Sequence, residues 1–116
     1  MTFDAIRAIA LAWPEVGDGS SYGTPALKVR GKLLARLRED GETLVLPGIG
    51  LDERAMLMEA APGIFFITPH DKDWPSILLR LPATDAATAK PLLLRRWRTL
   101  ATKAALKAFD AADGET

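Results

Sequence analysis

Between Gly23 and Arg38 apolar and basic residues alternate with a period of two, interrupted at Arg30-Gly31-Lys32. Successive side chains of a strand point to opposite faces. Two strands, about 25–30 and 33–39, therefore place Leu27, Val29, Leu33, Ala35 and Leu37 on one face and Lys28, Arg30, Lys32, Arg36 and Arg38 on the other. The first face has a reason to be buried under helices. The second carries five positive charges and no acid.

The flanking sequence extends this unit. Glu39-Asp40-Gly41-Glu42 holds an Asp-Gly pair suited to a tight hairpin turn, and Thr43–Leu46 follows as a third antiparallel strand. Upstream, Thr2 is an N-cap candidate, and Phe3, Ile6, Ile9, Ala10 and Trp13 recur at helical spacing, which predicts a helix over about 3–12 that Pro14 stops. The stretch 14–23 is rich in turn formers and reads as a loop, a candidate ligand edge. Downstream, residues 52–61 combine good helix formers with acids in the first turn. Ile64–Thr68 and Ser76–Leu81 are short β-prone runs. A final helical region starts at Asp85 or Thr88, depending on how Pro91 is accommodated, carries the stripe Leu93, Trp97, Leu100, Ala104, and breaks near Thr102 before a frayed end at 114–116. The expected fold is α+β: a two-layer sandwich of a five-stranded antiparallel sheet with helices on one face, in the order α-βββ-α-ββ-α.

The 116 residues suit one domain over 1–116, long enough to bury a core without staples. The absence of cysteine removes disulfides, thiol nucleophiles and Cys-based metal sites. The N-terminus has no basic region followed by an apolar run, and no segment approaches the roughly 18 apolar residues of a membrane span, so a cytoplasmic protein is expected. Fifteen basic and fifteen acidic residues cancel, which argues against indiscriminate nucleic-acid binding. The distribution is uneven, however: five cations fall in 26–38 and six in 89–107, both free of acids. A neutral chain with separated charge can still present one positive surface.

At Gly23-Thr-Pro-Ala26, Val29-Arg-Gly-Lys32 and Ala35-Arg-Leu37, then Phe65-Phe-Ile-Thr-Pro-His70 and Trp74-Pro-Ser-Ile-Leu-Leu-Arg-Leu81, the chain resembles the bacterial-type YjbR/MmcQ family, in order and over nearly its whole length. The resemblance implies a frataxin-like (CyaY-like) fold and the DNA-binding role proposed for that family. The Pro in the C-terminal helical region and the Ala-rich tail depart from the family pattern. Frataxins bind iron through an acidic ridge on the first helix; here that helix offers only Asp4 and the strands beside it are basic, so iron binding is not expected.

The basic face, joined by Arg80 from the last strand, can contact phosphates of double-stranded DNA; a solvated face whose charges discourage aggregation is the plainer account. The loop Thr68–Pro75 adds His70, Lys72 and Trp74, the first suited to general acid–base work and the others to phosphate contact and base stacking. No nucleophile or second histidine completes a catalytic set around His70, and adjacent His and Asp residues seldom converge on one ion, so no catalytic residue, metal or cofactor is assigned. Trp13, Trp97, Phe65, Phe66, Met56 and Met58 read as core or core-edge residues. The expectation is a non-catalytic monomer that binds nucleic acid weakly and salt-dependently through Lys28, Arg30, Lys32, Arg36, Arg38, His70, Lys72, Trp74 and Arg80. A protein-interaction module and a small-molecule binder are the alternatives.

Overall fold

The first helix, α1 (Phe3–Ala10), starts where the Thr2 hydroxyl accepts from Ala5 N and buries Phe3, Ile6 and Ala10. It ends ahead of Trp13, which Pro14 forces out of helical geometry. The computed structural model describes residues 1–114, so the part of the expected frayed end at Glu115 and Thr116 lies outside the described residues.

The sheet has six strands, not five. Val16–Ser21, read as part of a loop, is the edge strand β1. Its Gly, Asp and Ser have poor strand propensity. Pairing decides the matter: the two-residue turn Tyr22-Gly23 folds it onto β2 (Thr24–Val29) from Ser21 opposite Thr24 to Val16 opposite Val29. Both turn residues have positive φ (54° and 77°), as a type I′ hairpin requires. Next come β3 (Lys32–Leu37), β4 (Thr43–Pro47), α2 (Leu51–Ala60), the two-residue β5 (Phe65–Phe66), a 3-10 turn over Pro69–Asp71, and β6 (Ser76–Arg80). The strands lie in the order β1-β2-β3-β4-β6-β5, all neighbours antiparallel. Helices α3 (Ala86–Leu100) and α4 (Lys103–Gly114) finish the chain, broken near Thr102 as expected. Asp85 caps α3, which leaves Pro91 inside the helix on its exposed side.

The expected apolar face is the core face, with one correction that matters for function. A bulge shifts the β2–β3 register: Leu27 opposes Ala35, but Lys28 opposes Leu33, so Leu34 is the extra residue. Leu34 and Ala35 are both fully buried in the core with Leu27, Val29, Leu44, Leu46, Ile77 and Leu79, under Phe3 and Ile6 of α1 and Leu93 and Trp97 of α3. Leu33, expected in that core, is turned to the opposite face. Trp97 locks the helical layer: its ring packs between Trp13 (5.9 Å) and Phe109 (5.0 Å), and its Nε1 donates to Pro14 O at 2.8 Å. Met56, expected at the core edge, is exposed, because α2 turns Arg54 inward instead. Among the described residues no helix is long and apolar enough to cross a membrane.

Candidate nucleic-acid interface

By strand register the face away from the helices carries Lys28, Leu33, Arg36, Thr43, Val45, Leu78 and Arg80. It is not flat. Across it runs a cleft of about 880 Å³, floored by Leu33, Arg36, Val45, Pro47 and Ser76. Tyr22 borders one side, and His70, Asp71, Trp74 and Pro75 form another wall. Arg38, Glu39, Gly48 and Arg96 complete the lining.

The wall containing Trp74 is held from beneath by Arg54, whose residue is only 6% exposed. Its Nη1 donates to the carbonyls of Asp71 (3.0 Å), Trp74 (2.7 Å) and Ser76 (3.2 Å), and its Nη2 to Lys72 O (2.7 Å). Gly48 N and Ile49 N both donate to Pro75 O. With its carbonyls turned inward, the segment leaves His70 exposed and Trp74 63% exposed on the cleft side. Asp71 closes the front of the turn: its Oδ2 accepts from Thr68 N (3.0 Å) and Thr68 Oγ1 (2.6 Å) in a capping box. Burial pushes the Asp71 carboxyl up, but those Thr68 bonds, with Arg38 and His70 nearby, outweigh it and hold the group below the usual carboxylate range.

On the floor, Arg36 is recessed, its side chain 16% exposed. The Tyr22 ring lies over its guanidinium at 5.1 Å, although Tyr22 itself is 85% exposed. The left-handed backbone of Tyr22 is the one the type I′ turn requires. Arg36 Nη1 is enclosed and has no hydrogen-bond partner among the described residues. Glu39 Oε1 stands 3.9 Å away, beyond hydrogen-bond range, on an exposed side chain. An enclosed donor left idle costs about 1–3 kcal/mol, more when charged.

Arg96 reaches the cleft from α3 through a split in the sheet. β3 pairs with β4 only at Arg36–Val45 and Leu37–Leu44, so the Leu33 carbonyl is free to accept from Arg96 Nε (3.3 Å) and Nη2 (3.1 Å). Burial lowers the Arg96 pKa, and no ion pair is formed by it, or by Arg38 or Lys28, among the described residues. Gly48 makes room for it: at φ 81°, a Cβ there would lie 3.0 Å from Arg96 Cδ.

The structure thus divides the expected basic array. Arg36, Arg38, His70 and Trp74 meet in the cleft, and Lys28 lies half-buried on the same face with its stem over Gly19. Arg30 instead occupies the β2–β3 turn at φ 54°. Lys32 opposes Val29, so past the bulge it belongs to the core side of the sheet, exposed at its end. Arg80 keeps the expected face but stacks on Phe66 at 4.1 Å and donates to Pro62 O, outside the cleft lining. Lys72 is exposed beside the cleft without lining it. Sequence reasoning missed Arg96, Arg54 and the part of Tyr22. For Arg54 a signal existed: it shares helical spacing with the half-buried Leu57, Met58 and Ala61, an apolar face where an arginine needs internal acceptors. Among the described residues no group of three His, Asp or Glu side chains could hold a metal ion.

Comparison with known proteins adds little chemistry. No family model matches the chain. Two proteins of Mycobacterium tuberculosis strains and one of Mycobacterium bovis, all described as uncharacterized, are 33% identical to it over 58 residues, covering 50% of this chain and 45% of each relative. The matched stretch thus spans less than half the length of those relatives. No solved structure matches.

Proposed function

We propose that the chain binds nucleic acid in this cleft, with phosphates on Arg36, Arg38 and Arg96 and an unpaired base on Trp74. The observation that carries this reading is the convergence of guanidiniums and exposed aromatic planes on one concave surface. Cationic grooves interleaved with aromatics suit single strands, because every base offers a π-face and every linkage a charge. The charge pattern of β2 and β3 by itself suggests a duplex, but a recessed Arg36 suits a strand that can enter the cleft. The resemblance to YjbR/MmcQ proteins agrees with a nucleic-acid partner.

The test is a fluorescence titration with single-stranded and duplex oligonucleotides at about 50 and 200 mM salt. Trp74 is the exposed tryptophan, so quenching by a stacked base reports on the cleft. Three phosphate contacts on a single strand give a slope of about −2.1 in log affinity against log salt, roughly 20-fold over that range; on a duplex the same three give about −2.7, roughly 40-fold. Arg38→Glu should remove most of the binding, and Trp74→Ala should weaken it with little change in slope. Absence of binding at low salt would sink the reading, and the duplex slope with no response at Trp74 would move it to the outer basic residues.

A further inference from the structure

We infer that the recessed floor around Arg36 is a subsite for a phosphate monoester, the terminal phosphate of a nucleotide whose base lies on Trp74. This deepens the nucleic-acid reading and rests on its assignment of the cleft. Three features separate a terminal phosphate from an internal one. First, Arg36 Nη1 is an enclosed cationic donor without a hydrogen-bond acceptor, beneath the ring of Tyr22, a residue that is itself 85% exposed. Rotation of that exposed ring opens the guanidinium from above, to a group that can come in end-on. An internal phosphodiester would need exits for chain on both sides of the recess.

Second, the charge suits a dianion. Arg36, Arg38 and Arg96 line the cleft against two lining acids: Asp71 is occupied by Thr68, and Glu39, whose Oε1 faces Arg36 Nη1 at 3.9 Å without a hydrogen bond, sits on an exposed side chain that an incoming phosphate can displace. A terminal phosphate carries about −1.5 to −2 charge and three acceptor oxygens, against one charge for a diester. Guanidiniums match that geometry with paired N–H donors. Third, about 880 Å³ is room enough to seat one nucleotide at the floor, and the open side of the cleft lets the rest of a strand leave past Arg38 and Arg96.

The experiment compares, by calorimetry on the full chain, a 5′-phosphorylated single-stranded decamer, the same decamer with a 5′-hydroxyl, the free 5′-mononucleotide and its nucleoside. The phosphorylated decamer should bind at least about tenfold tighter than the hydroxyl form, the worth of one charge-assisted hydrogen bond. Arg36→Gln should erase that difference, bringing the phosphorylated decamer down to the affinity of the hydroxyl form, which itself weakens by less because Arg38 and Arg96 still line the cleft. Arg38→Gln, at the strand end, should reduce the same difference and provides the readout if Arg36→Gln fails to fold. A mononucleotide as tight as the phosphorylated decamer identifies a free nucleotide as the source; a tighter decamer identifies a strand end. Equal affinity of the two decamers would overturn the inference and leave the nucleic-acid reading intact. Mononucleotide binding without either decamer would remove the nucleic-acid reading and keep the subsite, and binding by none of the four would remove both.

Discussion

Two arginines, Arg54 buried behind the cleft wall and Arg36 recessed on its floor, solve the same electrostatic problem in opposite ways. Neither has a carboxylate within hydrogen-bond distance among the described residues. Arg54 spends its guanidinium on four backbone carbonyls of one loop, so that a cation takes the place of a strand partner for a segment that has none. Arg36, paired through its backbone in mid-sheet, leaves an enclosed donor idle under Tyr22. A guanidinium with no enclosed donor left unpaired holds the fold, whereas one with an enclosed donor to spare is a place for something else to bind.

Substitutions should separate the two. The largest effect is expected at Arg54→Met, which removes the guanidinium from four carbonyls, of which Asp71 O and Trp74 O keep a backbone donor, and should cost about 3 kcal/mol in urea unfolding, with new protease cleavage between Thr68 and Pro75. Arg54→Lys should recover part of the loss, since three of the carbonyls converge on Nη1 alone and an ammonium there has three donors, but the Lys72 carbonyl reached by Nη2 stays without its bond. If Arg54→Met unfolds like the parent, the clamp is not what holds the wall.

Gly48→Ala comes next. It combines left-handed backbone with a Cβ pressed on Arg96, and should cost about 1–2 kcal/mol while pushing that guanidinium off Leu33 O. Arg36→Met should run the other way, unchanged or more stable by up to about 1 kcal/mol in the same unfolding assay, because it removes an unsatisfied donor and keeps an apolar stem. A loss comparable to that of Arg54→Met would erase the contrast between the two arginines.

The smallest effect concerns pH. The Asp71 carboxyl is held below its ordinary range, so its contribution is present above the unfolded value, near 4, and is lost as pH falls through the lower folded value. Asp71→Asn should therefore flatten the acid side of the stability curve below about pH 4, measured by urea midpoints at fixed ionic strength. An acid limb as steep as the parent's would assign that loss to other carboxylates, such as Asp40, which Thr43 and Glu42 hold low in the same way.

Much of the fold was legible. The alternation in 23–38 gave two strands with a buried and an open face, Thr2 marked the first helix, and Trp97 lay on the stripe that became the core of α3. The hairpin at Asp40-Gly41 formed as its residues suggest, with Asp40 Oδ1 accepting from Glu42 N and Thr43 N. The site was legible only in part, because charge and period placed Arg36, Arg38, His70 and Trp74 near one another but said nothing of depth.

By itself, then, the sequence determined the class of the fold, the face that is buried and the sign of charge on the other, since period and polarity are local properties of a strand. Tertiary structure decided the rest. Strand β1 exists because β2 offers it a partner that outweighs poor propensity. One extra residue at Leu34 exchanged the faces of Leu33 and Lys32, as any single-residue slip must when side chains alternate. Arg96 joined the cleft because β3 and β4 separate after two pairs and leave the Leu33 carbonyl in need of a donor. Arg54 became a clamp because the loop from Asp71 to Ser76 turns its carbonyls inward. These outcomes depend on which distant backbone group lacks a hydrogen-bond partner once the chain has folded, a quantity that no stretch of sequence carries alone.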